Sequence, residues 1–247
     1  MNSKRCLVFA AHGDDETNGV GGTILKLRDS GWSVFIVYAT LPTDPSLNHR
    51  RKNACLSVGK ATGSCVDVWG LPDASLEVTE MTKKMTQTVF DQVKPDLVLV
   101  MNPIDVHPDH RAMASLAMGP ALQKGVNTEL MFYELCASGR HINADRPQTI
   151  GHYPTHFVDI TDEIDRAAEL QMLHDTEDPE AMIRGMRNVH SNRAKEYGLG
   201  AGGYMEAFMR ITRVGPIQHG LGEIFLETPY VLPRPIGVDF DPGTIGL

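Results

Sequence analysis

The chain has 247 residues, 42% of them apolar, and a formal net charge of −8. That length suits one α/β domain with at most a small appendage and a sizeable core. The acidic balance argues against nucleic acid or an anionic membrane surface as the main partner, and no apolar run approaches the ~20 residues that a membrane helix needs.

Lys4 and Arg5 precede too few apolar residues for a secretory signal. The four cysteines, Cys6, Cys55, Cys65 and Cys136, form no CxxC pair. They are read as core thiols in a reducing compartment, and the protein as soluble and cytoplasmic.

In chain order, apolar runs predict strands at 6–11, 33–39, 66–69, 97–101 and 130–134. Helical patterns fall between them, at about 20–30, 47–62, 77–93 and 109–123. Lys94-Pro95-Asp96 ends the third helix, because the residue before proline avoids the α region. This β-α rhythm predicts a Rossmann-like, mainly parallel sheet with helices on both faces.

After residue 136 the rhythm breaks. A Gly-, Pro- and His-containing loop is expected at 139–154, then a strand at 156–159. Thr161 is read as the N-cap of a helix through His174, and Pro179 opens another helix towards Tyr197. Residues 198–203 read as a flexible turn, 204–213 as helical, 223–227 as a late strand, and the proline-rich tail as a surface wrap. The whole is taken as a single domain, 1–247. Residues 1–136 form its βα core, and 137–247 its pocket-shaping and C-terminal elements.

Two polar clusters stand out. Ala11-His12-Gly13-Asp14-Asp15-Glu16 follows the first strand and precedes a glycine-rich helix opening. Asn102-Pro103-Ile104-Asp105-Val106-His107-Pro108-Asp109-His110-Arg111 follows the fourth strand. In common doubly wound orders the first and fourth strands are neighbours at the centre of the sheet. The ligand crevice then opens between their carboxyl ends. The clusters are therefore expected to face each other although ~90 residues separate them in sequence.

Facing each other, they supply His12, Asp15 and His110 as zinc ligands, with a fourth position left for water. Gly13 is read as permitting a backbone conformation that bulky residues resist. Asp14 is the candidate general base for a metal-bound water nucleophile. His107 is read as a proton donor or oxyanion stabiliser. Asp105 and Asp109 are candidates to orient the histidines. A helix N-terminus decorated with acids would account for Asp14, Asp15 and Glu16 but not for His12. The remaining histidines, including 156, 174 and 190, are read as surface or loop residues. Trp69 is read as a sugar-stacking, core or rim aromatic.

The first cluster resembles the AHPDDE signature of the PIG-L/LmbE-like zinc N-deacetylases. His107-Pro108-Asp109-His110, led in by Asn102, Pro103 and Asp105, resembles that family's second motif. Val20-Gly21-Gly22-Thr23-Ile24 resembles the family as well, and residues 197–208 do so more loosely. By motif position, the resemblance implies one zinc on His12, Asp15 and His110, with Asp14 as base and His107 facing the oxyanion or leaving amine. It also implies a Rossmann-like fold and removal of acetyl from N-acetylglucosamine-type groups. Two departures are Gly13 for the usual proline and Asn53 for the glutamate of an RxxE pattern that begins at Arg50. Arg50 and Arg51 are held as substrate-contact candidates.

The expected activity is a metal-dependent amidohydrolase removing an N-acyl group, acetyl foremost, from an amino sugar or its conjugate. Zn2+ is the expected cofactor, with iron and manganese open to the same donor set. The competing readings are an amidase on thiol-sugar conjugates, a metal-dependent phosphoesterase, and a non-enzymatic Rossmann-type binder. The expected partner is a small amino-sugar substrate, with no nucleic acid and no membrane. Self-association is left open.

Overall fold

A computed structural model describes residues 3–136, 153–211 and 221–227. The proline-rich tail lies outside these residues, as does all but the end of the loop expected at 139–154. Five βα-type strands come first: β1 (Arg5–Ala10), β2 (Ser33–Leu41), β3 (Cys65–Pro72), β4 (Leu97–Met101) and β5 (Glu129–Tyr133). They alternate with α1 (Asp15–Asp29), α2 (Pro45–Thr62), α3 (Glu80–Val93) and α4 (Pro108–Ala121). Then follow β6 (His156–Asp159), α5 (Ile164–Gln171), α6 (Pro179–Tyr197), β7 (Met205–Ile211) and the two-residue β8 (Leu226–Glu227).

All eight strands join one sheet in the order β3-β2-β1-β4-β5-β7-β6-β8. The first five are parallel, and β7, β6 and β8 extend the sheet antiparallel. β1 pairs with β2 on one side and β4 on the other, so strand order reverses between β1 and β4. Right-handed crossovers then put α1 and α2 on one face and α3 and α4 on the other. α5 and α6 pack with α1, and α3 packs with α4. β1, β4 and β5 are apolar and buried along nearly their whole length, as strands covered on both faces must be.

Local chemistry sets the element ends. Thr79 caps α3 in a reciprocal capping box with Thr82, and Lys94 closes that helix in a left-handed conformation before Pro95. Asp44 caps α2 by accepting from the Leu47 N–H. α5 differs from expectation. It starts at Ile164, and Thr161 does not cap it: the Thr161 hydroxyl oxygen accepts from the Tyr204 N–H while its proton goes to Asp159. Three of the cysteines are buried, but Cys65, on the edge strand β3, is exposed.

The segment expected to be helical near 204–213 is β7. Met, Glu and Ala favour helix locally, but the free edge of β5 pairs with this segment from Leu130↔Ile211 to Tyr133↔Phe208. Its two charged side chains are satisfied rather than solvated. Arg210 forks onto Glu129 at 2.9 and 3.0 Å. Glu206 accepts from the backbone N–H groups of Gly22 and Thr23, each at 2.8 Å. Those N–H groups lie just past a break in α1 at Val20 (φ −143°). Glu206 thus caps the second half of α1 from across the sheet. Burial raises the Glu206 carboxyl to about 7, against the pull of the Thr23 and Gly22 contacts.

The glycine-rich opening of α1 is a packing device. A Cβ on Gly19 would sit 2.6 Å from the Tyr133 ring and 2.9 Å from the Glu134 carbonyl oxygen. The Tyr133 hydroxyl in turn donates to the Phe9 carbonyl at 2.8 Å, tying β5 to β1 over β4. Gly19→Ala is expected to destabilise the protein by about 1–3 kcal/mol, the cost of overpacking a filled core. Urea unfolding should show this as a lowered midpoint with an unchanged slope.

Candidate metal centre and active site

The two polar clusters meet where the strand order reverses. β1 ends at Ala10, and residues 11–14 make the turn into α1. β4 ends at Met101, and the following loop turns into α4 at Pro108. His12 Nδ1 lies 3.1 Å from His110 Nε2. The Asp15 carboxylate reaches both, at 3.6 Å from His12 Nδ1 and 3.3 Å from His110 Nε2. Ligands about 2.0–2.1 Å from a tetrahedral zinc stand about 3.3 Å apart; the His12–His110 edge fits a shared ion, and Asp15 meets the two rings with different oxygens, Oδ2 towards His12 and Oδ1 towards His110. Two imidazole nitrogens and one carboxylate oxygen are also the donor chemistry that such an ion takes.

The far sides of both imidazoles meet carboxylates. His110 Nδ1 lies 2.9 Å from Asp105 Oδ1. His12 Nε2 lies 3.1 Å from Asp109 Oδ2 and 3.2 Å from Asp73 Oδ1. Asp109 is itself fixed, since its two oxygens accept from the backbone N–H groups of Ala74 and Leu76 at 2.8 and 3.0 Å. Such partners set the ring tautomer and make the inward nitrogen a better donor. Among the described residues, the trios whose single donor atoms all lie within 4.8 Å of one another are different ones, His12, His107 and His110, and His12, Asp73 and Asp109; both share His12 with the expected set.

Charge in this cluster is unbalanced in a way that invites a cation. Burial disfavours the His12 imidazolium, but hydrogen bonds to Asp109, Asp15 and Asp73 outweigh it and hold its pKa well above the usual value. Burial likewise opposes the His110 imidazolium, yet the Asp15 charge and Asp105 raise it to about 9. Burial works against the Asp15 anion too, and the His110 charge overrides it and drives the carboxyl far down. The same carboxylates that hold protons on these rings would attract a divalent ion, which must displace those protons to bind.

Asp14 stands apart. It is buried and lines the same cleft. Burial first, and then the Asp15 charge, lift its carboxyl to about 6. Its backbone is strained at φ 151°, ψ −19°. This revises the expectation for Gly13, which has no positive φ. Gly13 is needed for space, because a Cβ there would sit 2.5 Å from the Cys55 sulfur.

His107 occupies the N-cap of α4, where its Nδ1 accepts from the Asp109 N–H at 3.2 Å. That leaves the proton on Nε2. Burial, then the charges of His12 and His110, lower its pKa and keep the ring neutral. It is therefore a neutral donor at the cleft wall.

A cleft of about 390 Å3 opens over this cluster. Of the two arginine candidates only Arg51 lines it, together with Glu177 and Asp73. Arg50 is exposed and pairs with Asp175. Trp69 packs near Phe9, with ring centroids 6.4 Å apart, and is not part of the described cleft wall. His156, His174 and His190 are buried, contrary to the surface reading. His174 lies behind the turn from β1 into α1, its Nε2 3.1 Å from Glu16 Oε1. Asp73 and Glu177 were not singled out from the sequence. Asp73 follows β3 at the same end of the sheet, so the strand-end rule extended to the third strand would have flagged it. Nothing local marks Glu177.

Among the described residues, no helix is long and apolar enough to cross a membrane. Residues 7–120 match the family model described as "PIG-L: GlcNAc-PI de-N-acetylase". The diacetylchitobiose deacetylase of Thermococcus kodakarensis is 29% identical over 197 residues, covering 72% of this chain and 71% of that protein. A probable N-acetyl-alpha-D-glucosaminyl L-malate deacetylase 2 of Bacillus subtilis is 26% identical over 206 residues, covering 75% of this chain and 88% of that protein. Among solved structures, GalB, the 4-carboxy-2-hydroxymuconate hydratase of Pseudomonas putida KT2440, superposes with a TM-score of 0.71 at 17% identity, covering 86% of this chain and 98% of that one. That last likeness is one of fold. With its signature motifs inside residues 7–120 and deacetylases as its sequence relatives, the chain is similar to the PIG-L/LmbE-like family over its βα core.

Proposed function

We propose that this protein is a metal-dependent N-deacetylase that removes acetyl from an N-acetylglucosamine-type amino sugar or its conjugate. The observation that carries the reading is the convergence of His12 Nδ1, His110 Nε2 and the Asp15 carboxylate at 3.1–3.6 Å, with Asp14 in the same cleft. The sequence relatives, a chitobiose deacetylase and a glucosaminyl-malate deacetylase, support the substrate class.

His12, Asp15 and His110 would hold the ion, zinc being the best match to the donor set. Bound there, a divalent ion supplies Lewis acidity towards the amide carbonyl and makes water easier to deprotonate. Asp14 takes the proton of the attacking water, and a carboxyl raised to about 6 suits that task near neutral pH. The His107 Nε2–H donates to the oxyanion as the carbonyl becomes tetrahedral. The amine then leaves carrying a proton returned by Asp14. Asp105 and Asp109 orient His110 and His12. One ion per chain is expected, since His12, Asp15 and His110 are the one ligand set that the two motifs supply.

The test is release of free amine from N-acetylglucosamine, its inositol and malate glycosides, diacetylchitobiose and an N-acylated glycopeptide, each with and without chelator. Chelator-sensitive release from at least one member is expected. Asp14→Asn should bind the metal normally and lose about 10²–10⁴ in kcat. Normal turnover by that variant would contradict its role as base. Metal titration followed by elemental analysis should give one zinc per chain. His110→Ala should abolish retention, and Asp109→Asn should weaken it about 10–100-fold.

A further inference from the structure

We propose that Glu177, paired with Arg51 in the cleft wall, makes this protein selective for uncharged N-acetylglucosamine glycosides over those with an anionic aglycone. The inference rests on the deacetylase reading above and concerns what lies beyond the sugar being deacetylated. Arg51 is the only arginine or lysine in the described cleft wall. It is the natural partner for a substrate carboxylate or phosphate. Yet its guanidinium already pairs with Glu177, and its Nε donates to the Thr176 hydroxyl at 3.1 Å. Both side chains are largely withdrawn from solvent, at 16% and 27% exposure. Arg50, one residue earlier, is committed to Asp175 at the surface and offers no substitute.

With His12 and His110 neutral as ligands of an ion, the rest of the wall adds negative charge. Asp14, Asp15 and Asp73 line the cleft with Glu177. A divalent ion would offset only part of this. Against the described wall, an anionic aglycone therefore either displaces Glu177 from Arg51, stranding a carboxylate in a half-buried wall, or lies against Glu177 and Asp73. A neutral glycoside meets neither cost, because its hydroxyls donate to those same carboxylates. The chain places Glu177 with some care. His174 anchors the segment beneath through Glu16, and Asp178 caps α6 immediately after it.

Steady-state kinetics of the zinc-loaded enzyme on diacetylchitobiose and on the N-acetylglucosaminyl malate glycoside test this, at low and raised salt. The wild type should favour the neutral substrate by about tenfold or more in kcat/KM, as one unfavourable charge contact in a partly buried site demands. Raised salt should narrow that gap. Glu177→Gln should narrow it too, chiefly by lowering KM for the malate glycoside. If that variant does not fold, the wild-type salt dependence decides. Equal or malate-favouring turnover by the wild type would overturn the selectivity while leaving deacetylation intact. A preference that Glu177→Gln leaves unchanged, or that salt does not touch, would overturn the role of the pair. Silence on both substrates would overturn this inference, and silence across the whole panel above would overturn the deacetylase reading as well.

Discussion

The centre depends on one strained turn. Between β1 and α1 the chain must reverse within a few residues while aiming three side chains at one point. It does so with Asp14 at φ 151°, a conformation that costs a non-glycine residue about 1–3 kcal/mol. The surroundings hold it there. The Asp15 carboxylate accepts from the His12 N–H at 2.8 Å, and the Thr17 hydroxyl meets the Asp14 carbonyl at 3.0 Å. Beneath the turn, the His174–Glu16 contact packs against the floor, and the Cys55 sulfur fills the space that a side chain at position 13 would need. The strain sits where the chemistry is expected, and packing from α2 and from the α5–α6 connection offsets it.

The sheet supplies the second half of the geometry. Because β1 and β4 are neighbours, two loops far apart in sequence open into the same crevice. This much was legible from residues alone. Buried strand runs were uninterrupted, polar clusters followed two of them, and the motifs named a family. The boundaries of β4 and α6 were legible for local reasons: a run of five apolar residues, and a proline at a helix start capped by Asp178.

What escaped the sequence is non-local. β7 reads as a helix because Met, Glu and Ala say so locally, and it is a strand because β5 leaves an edge to be paired. His174 looks like any loop histidine until α5 carries it under the first motif. Asp73 and Glu177 have no motif around them, and their place in the cleft follows from the end of β3 and the start of α6. The fold itself is silent on the reaction, since a hydratase shares it closely. The reading of the chemistry stands on the donor set, the reading of the substrate class on the sequence relatives, and the proposed selectivity on the charges of the cleft wall.

The most direct measurement is the anomalous scattering of zinc-soaked crystals. A single peak is predicted at about 2.0–2.2 Å from His12 Nδ1, His110 Nε2 and an Asp15 oxygen. A peak instead on the Nε2 side of His12, between Asp73 and Asp109, or no peak at all, would contradict the centre described above.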